Sequence, residues 1–360
     1  MSIFSSVEVI GGGLIGTSIA LKLAKNGSQV RVRDAHPGHE KLANSLLGGA
    51  LLAPGASVEC VIVAIPVDAL SKVIVDALIT NPKAIVIDIG SIKTKVLHEV
   101  WTGTIDLSNQ IEVLNRYVPT HPMAGREVTG PDGARSDLFE GRVWAITPHH
   151  ASSRENVAKI ATLIRELGAI SYELAPEAHD RQVAMTSHLP QLLATLLAST
   201  LEGPLELAGQ GLRDMTRLAH SDWQMWAPIL EGNQEELIPL LDEIIKSINS
   251  LKDKKFNKDS VVALMNRGLS GALSVPGKHG GVPRNYGALS VVIPDRAGQL
   301  AALFNHCADG KINIEDLRIE HSPGQETGLI TLYVQPDDLS TLNNHLSTLG
   351  WDVTVLEKSI

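Results

Sequence analysis

"VIGGGLIG", residues 9–16, is the stretch whose reading decides the fold. An alternating, strand-like stretch, VEV, leads into it and a helical pattern, TSIALKLAKNG, leads out, so the glycines stand where a strand turns into a helix. Gly11, Gly13 and Gly16 match the spacing G-x-G-x-x-G. The first glycine allows a tight turn, the second a close approach of backbone to a pyrophosphate, and the third close packing of helix on strand. Leu14 and Ile15 then open the helix with free N–H groups turned to the phosphates. The next strand, QVRVRD, ends on Asp34, 18 positions past Gly16. A carboxylate there accepts hydrogen bonds from the adenosine ribose and repels a 2′-phosphate, which favours NAD over NADP. Arg33 and His36 stand near enough in sequence to reach such a phosphate, while Arg31 and Arg33 also read as a solvated edge-strand face.

Outward from this turn, VECVIVAIP, AIVIDIG, NRYVPT and VWAIT continue the alternation of strands with helices, and ENVAKIATLIRELG with ISYEL closes it. The pattern predicts parallel βαβ units in an α/β Rossmann-like dinucleotide-binding domain over residues 1–175. Over 176–273 the strands disappear. HLPQLLATLLAST, EELIPLLDEIIKSINSL and KDSVVALMNRGL carry apolar residues at helical spacing and predict an all-α domain. Its apolar surface exceeds what one small helical layer buries, so a homodimer is expected. A Gly- and Pro-rich linker follows over 274–285. Residues 286–360 then read as βαββαβ, a ferredoxin-like module, with Leu300, Leu303, Phe304 and Cys307 on one face of its first helix.

Composition narrows the partners. With 31 basic and 40 acidic residues in 360, a net charge of −9 provides no general attraction for nucleic acid or an anionic membrane. The N-terminus has no export pattern, and no apolar run is long enough to span a bilayer. Cys60 and Cys307, far apart in apolar patterns, read as buried free thiols in a reducing cytoplasm. No metal-ligand cluster is visible. That leaves a small molecule, held by local groups.

"HPMAG", residues 121–125, places a histidine at a strand end of the dinucleotide domain, where such strands converge on the ligand crevice. A neutral imidazole there can take a proton from a hydroxyl while hydride leaves the same carbon, and its ordinary pKa of about 6.5 sets the expected rise of activity with pH. Taken alone, the same residue also reads as a loop histidine making one local hydrogen bond.

With VIGGGLIG, IDIGSIKTKV (87–96), HPMAGRE (121–127), MTSHLPQ (185–191) and LRDMTRLAHSD with QMW (212–226), the chain resembles the prephenate/arogenate dehydrogenase family over nearly its whole length. Its tail resembles an ACT domain, with PDRAGQLA as the first strand-to-helix turn. The resemblance implies oxidative decarboxylation of prephenate to 4-hydroxyphenylpyruvate, or of arogenate to tyrosine, with NAD as hydride acceptor. It implies His121 as catalytic base with Ser91 beside it, His188 at the substrate side chain, and Arg217 on a substrate carboxylate. Asp214, one helical turn before Arg217, is placed to orient it. Arg126 departs from the small polar residue common after HPMAG and either contacts the substrate or points outward. In the tail, Asp295, Arg296, Ala297 and Gly298 with Asn313 would hold an amino-acid effector, L-tyrosine, unless the module only strengthens the dimer.

Structural alternatives stand beside these roles. Ser91 can be a helix N-cap, His188 a buried histidine, and Arg213 and Arg217 ion-pair partners of Asp214 and Asp222. Lys93 and Lys95 read as a solvated helix face, and Trp223 and Trp226 as core or subunit contacts. Pro228 should disturb its helix, and residues 102–115 read as an insertion before HPMAG. A β-hydroxyacid dehydrogenase shares the domain plan but leaves HPMAG and SHLP unexplained. A non-catalytic NAD-binding regulator leaves the set Ser91, His121, His188 and Arg217 without a purpose.

Overall fold

Seven short strands build the first sheet: β1 (Ser6–Ile10), β2 (Gln29–Arg33), β3 (Cys60–Val63), β4 (Ile85–Asp88), β5 (Tyr117–Pro122), β6 (Val143–Ile146) and β7 (Ile170–Glu173). The structure, a computed structural model, describes residues 2–125, 130–275, 286–321 and 327–356. Between the strands lie α1 (Leu14–Lys25), α2 (Pro37–Leu46), α3 (Val67–Thr80), α4 (Thr94–Gly103), α5 (Gln110–Leu114) and α6 (Arg154–Glu166). The segment read as an insertion thus holds the end of α4 and the short α5. Strand order is β2-β1-β3-β4-β5-β6-β7. The chain leaves β1 for β2 on one side and returns to β3 on the other, a reversal that opens a crevice at the carboxyl ends of the strands.

Alternating side chains give this sheet two buried faces. Val7, Val9, Ile62 and Ile87 pack under α1 and α6, whereas Val61, Val63 and Val86 pack under α3 and α4. The expectation of uniformly parallel units fails at one place: β6 runs antiparallel to β5, pairing Ala145 with His121. Among the described residues no α-helix lies between these two strands. The return connection carries a short 3-10 turn, Pro131–Gly133, in place of a crossover helix, so the chain comes back antiparallel.

Helices follow from Pro176: α7 (Pro176–Val183), α8 (Leu189–Ser199), α9 (Gln210–Thr216), α10 (Trp223–Gly232), α11 (Gln234–Asp253) and α12 (Lys258–Ser274). Two compact units result, Met1–Ile245 and Lys246–Ile360, divided within α11. In the first unit, Ile229 of α10 is buried in the α3–α4 core with Trp226 packed on it. Pro228 does not break α10, contrary to expectation. It removes only the bond to the carbonyl of exposed Gln224, which water can replace, while the Asp222 side chain caps the helix by accepting from Gln224 N.

In the second unit, β8 (Gly287–Pro294), α13 (Gln299–Asp309), β9 (Asp316–His321), β10 (Thr327–Val334), α14 (Leu339–Thr348) and β11 (Asp352–Leu356) form the βαββαβ module. Its antiparallel sheet has the order β11-β8-β10-β9 over a core that includes Leu289, Leu303, Cys307, Ile330 and Leu342. Leu300 is exposed and does not join that face of α13. Both cysteines are buried free thiols. Among the described residues no helix is long and apolar enough to cross a membrane.

The glycine turn explains its own composition. Gly11 has φ +112°, and a Cβ there would lie 2.0 Å from the Ala64 carbonyl oxygen. At Gly16 a Cβ would lie 2.0 Å from the Gly11 carbonyl oxygen, so α1 leaves β1 at backbone contact distance. Gly16→Ala should therefore destabilise the chain by about 1–3 kcal/mol, the usual scale of overpacking. A urea midpoint equal to that of the unchanged protein would show that the turn has more room than this contact allows.

Candidate functional site

His121 is the fifth of six residues in β5, at the carboxyl end of the strand, between β4 and the antiparallel β6. Its Nδ1 lies 2.9 Å from Nε2 of His179, a residue of α7 that sequence reasoning missed. His179 Nδ1 in turn lies 2.8 Å from Oδ1 of Asp180. Asp180 accepts the backbone N–H of Lys93 at 2.9 Å and of Thr94 at 2.7 Å. Burial would raise the Asp180 carboxyl, but the hydrogen bonds from His179 and Thr94 outweigh it and hold the group below the usual carboxylate range. Among the described residues no hydrogen bond uses His121 Nε2. Withdrawal from water, and then the neighbouring His179, Lys93 and His188, keep the His121 imidazole well below its ordinary value, so the expectation of a group near 6.5 is corrected downward.

His188 lies where a π-helical turn, Ala184–His188, joins α7 to α8. Pro190, two residues on, has no N–H to give Thr186 and its ring crowds that carbonyl, which accounts for the wider turn. Asn233 Nδ2 donates to the Asp180 carbonyl at 2.9 Å and lies 3.0 Å from His188 Nδ1. Because the amide group is a donor, His188 Nδ1 is the acceptor, and the ring's single proton sits on Nε2. Burial pushes the His188 ring down to about 4; Asp180 opposes this and His179 adds to it. His188 is thus a neutral donor, with Trp226 set edge-on against it at 6.1 Å.

Lys93 is the largest departure from the sequence reading. It is buried, not on a solvated face, and its Nζ meets Asp88 and donates to the Thr120 carbonyl at 2.8 Å. Asp88 also accepts from Tyr117 Oη at 2.8 Å and Gly90 N at 2.8 Å. Burial first, then the charge and hydrogen bond of Asp88, raise the Tyr117 phenol well above its ordinary value, so it remains the donor. Ser91 lies half-buried in the loop between Asp88 and Lys93. It does not cap α4: that helix begins at Thr94 with Lys93 as N-cap, and the Asp180 carboxylate takes the first free N–H groups instead. Arg31 is likewise no solvated residue, since its Nε donates to the buried Glu8 at 2.8 Å.

Arg217 and Asp214 are exposed, on the 3-10 turn Arg217–His220 and on α9. Gln191, three residues past His188, ties this segment to α8 by donating to the Leu218 carbonyl at 2.9 Å. Its Oε1 accepts from Ser221 at 3.2 Å. The structure therefore brings His121, His188 and Ser91 to the neighbourhood of Lys93 and Asp180, and gives Arg217 a fixed backbone support. Arg126 lies outside the described residues. A cavity of about 410 Å³ borders the group, lined by Met123, Val143, Tyr172, His179, Val183 and Thr186. In the second unit, Gly298 has φ +88° and forms the N-cap of α13, and Asn313 donates to Glu315 at 3.0 Å.

The glycine turn fits a dinucleotide. A Cβ at Gly13 would meet no atom within 4 Å, so backbone is open to a ligand there, and α1 starts with neither a side-chain cap nor an acidic residue in its first turn. Asp34 is fixed at the loop, accepting from Gly12 N at 2.6 Å and His36 N at 2.7 Å. Among the described residues no cluster of three or more His, Cys, Asp or Glu could hold a metal.

A glycine turn open to a dinucleotide, a carboxylate fixed beside it and a buried histidine pair at the strand ends are the parts a dinucleotide-dependent dehydrogenase needs. Residues 19–173 match the family model described as prephenate dehydrogenase, nucleotide-binding domain, and residues 175–266 the one described as prephenate dehydrogenase, dimerization domain. The chain belongs to the prephenate dehydrogenase family and is an NAD-dependent oxidoreductase. It is similar to a probable prephenate dehydrogenase of Streptomyces niveus, at 28% identity over 95% of this chain and 98% of that one. The prephenate dehydrogenase of Bacillus subtilis is 26% identical over 92% of this chain and 93% of its own. A crystal structure of prephenate dehydrogenase from A. aeolicus with hydroxyphenyl propionate and NAD+ shares the fold, with a TM-score of 0.65 at 24% identity, covering 76% of this chain and 98% of that one.

The buried pair under the site gives a direct test. Lys93→Met should destabilise the protein by about 3–5 kcal/mol, because Asp88 keeps its charge without a cation. Adding Asp88→Asn should recover part of that loss in urea unfolding, and equal losses in the single and double variants would mean that the ion pair is not what Lys93 contributes.

Proposed function

We propose that this enzyme oxidises prephenate to 4-hydroxyphenylpyruvate on the way to tyrosine. The observation that carries this is the pair of uncharged histidines, His121 at the strand end and His188 across from it on the helices. When bound, NAD accepts a hydride from the hydroxyl-bearing ring carbon. His121 Nε2 takes the hydroxyl proton as the carbonyl forms. The bond to the ring carboxylate then breaks, carbon dioxide leaves, its electron pair completes the aromatic ring, and the ring oxygen takes the proton back from His121 to give the phenol. Arg217, oriented by Asp214, meets a substrate carboxylate, and Ser91 sits beside His121. His188, a donor through Nε2–H, suits a keto or carboxylate oxygen and opposes nothing to it, whereas an ammonium offers it no acceptor. That favours prephenate over arogenate.

NAD binds at Gly11, Gly13, Leu14, Ile15 and Gly16, with Asp34 on the ribose. The enzyme works as a homodimer: Val262, Met265, Leu269 and Leu273 form an exposed apolar stripe at helical spacing along α12, a surface suited to a second copy. Its buried thiols suit a reducing cytoplasm. The C-terminal module is an ACT domain that binds L-tyrosine at Asp295–Gly298 and Asn313, where α13 starts without a side-chain cap.

NADH absorbance should rise with prephenate and far less with arogenate; equal rates would remove the specificity assigned to His188. His121→Asn should lower kcat by about two to four orders of magnitude. Only neutral His121 accepts a proton, and its imidazole is held down, so kcat/KM should climb with pH along a limb centred below about 6.5. A limb centred above that value would assign the base to another group. Separately, L-tyrosine should inhibit the intact chain and inhibit Asn313→Ala much less. Equal inhibition of both would place tyrosine in the active site as a product analogue.

A further inference from the structure

We infer that His179 and Asp180 are positioning residues that fix the tautomer of His121, holding its proton on Nδ1 so that Nε2 is bare and ready to act as base. This rests on the reading of His121 as the base.

The argument runs from the carboxylate outward. Asp180 is nearly fully buried, and its oxygens already accept from Lys93 N and Thr94 N, the first N–H groups of α4. An ionised carboxylate only accepts, so the 2.8 Å contact requires His179 Nδ1 to donate. A neutral His179 then has a bare Nε2. The 2.9 Å separation from His121 Nδ1 needs one proton between the two nitrogens, and only His121 can supply it. An imidazole whose Nδ1 holds the proton presents Nε2 as an acceptor.

The chain of contacts also serves the next moment of the reaction. When Nε2 takes the substrate proton, His121 becomes a cation in a place where burial disfavours charge. Its Nδ1–H then donates a charge-assisted bond to His179, which is backed by the Asp180 carboxylate. Each group stays put: α7 holds both residues, and α4 holds the carboxylate. The same division of labour, with a buried carboxylate orienting an imidazole that does the proton transfer, operates in hydrolase triads. Here a second imidazole is interposed, and the reaction is a hydride transfer. Lys93, His188 and Asn233 also face this group, but none of them contacts the His121–His179 bond.

Histidine ring nitrogen NMR on the intact enzyme at about pH 8, above the ordinary imidazole range, reads the tautomer without a mutation. We expect His121 protonated at Nδ1 and bare at Nε2. His179→Phe, which cannot accept, should lower kcat by about 10²-fold with KM changed by less than about threefold. In that variant the His121 signals should move toward the other tautomer. His179→Gln, whose side-chain oxygen can accept from His121 Nδ1, should recover at least about tenfold of the loss. A His121 protonated at Nε2 in the intact enzyme, or a His179→Phe enzyme with unaltered kcat, overturns the inference. If His121→Asn retains full turnover, the base itself is misassigned and the positioning role falls with it; an inactive His121→Asn with Nε2–H in the parent enzyme overturns the positioning role alone.

Discussion

The Asp180 carboxylate is the constraint on which the site depends. One oxygen pair receives two backbone N–H groups at the start of α4, on the nucleotide-binding sheet, and the same residue gives its carbonyl to Asn233 at the start of α11. A buried charge of this kind is stable only if several donors surround it, and those donors come from segments far apart in the chain. Satisfying Asp180 therefore fixes how α7 and the start of α11 sit on the sheet. His179 and His188, carried on the same helical run, take their places as a consequence.

Below this lies the second buried charge, the Lys93–Asp88 pair. It ties β4 to β5 through the Tyr117 hydroxyl and the carbonyl of Thr120, the residue before His121. Such a pair contributes little net stability when compared with apolar packing, but it tolerates almost no displacement because each charge needs its partner. The strand end that presents His121 is thereby held in one position. Withdrawal from water first, and then His179 and the Lys93 charge, hold the His121 imidazole well below its ordinary value. Packing, electrostatics and proton chemistry meet in the same few residues.

Much of this was legible in the sequence, for reasons that differ by residue. The glycine turn and Asp34 announce themselves because their constraint is local: a strand, a tight turn and a helix within 26 residues. The βαββαβ module was readable from its periodicity, as were the long helices. Lys93 was misread because SIKTK resembles a solvated helix face, and its partners arrive on neighbouring strands. One signal was available: Asp88 ends an otherwise apolar strand, IVID, and an acid buried there needs a cation. His179 and Asp180 lie in PEAHDRQV, which reads as an ordinary polar helix; His121 is 58 residues away, and nothing local announces the contact. The antiparallel turn of β6 was hidden because strand direction depends on the connection that precedes it.

The same geometry makes a demand on the bound state. In a crystal structure of this enzyme with NAD and a 4-hydroxyphenyl product analogue, His121 Nε2 should lie within about 3 Å of the ring oxygen. His188 Nε2 and Arg217 should face the other end of the molecule. An analogue whose ring oxygen is met by a different side chain, with His121 Nε2 turned away or beyond hydrogen-bond reach, would contradict the assignment of His121 and the relay built behind it.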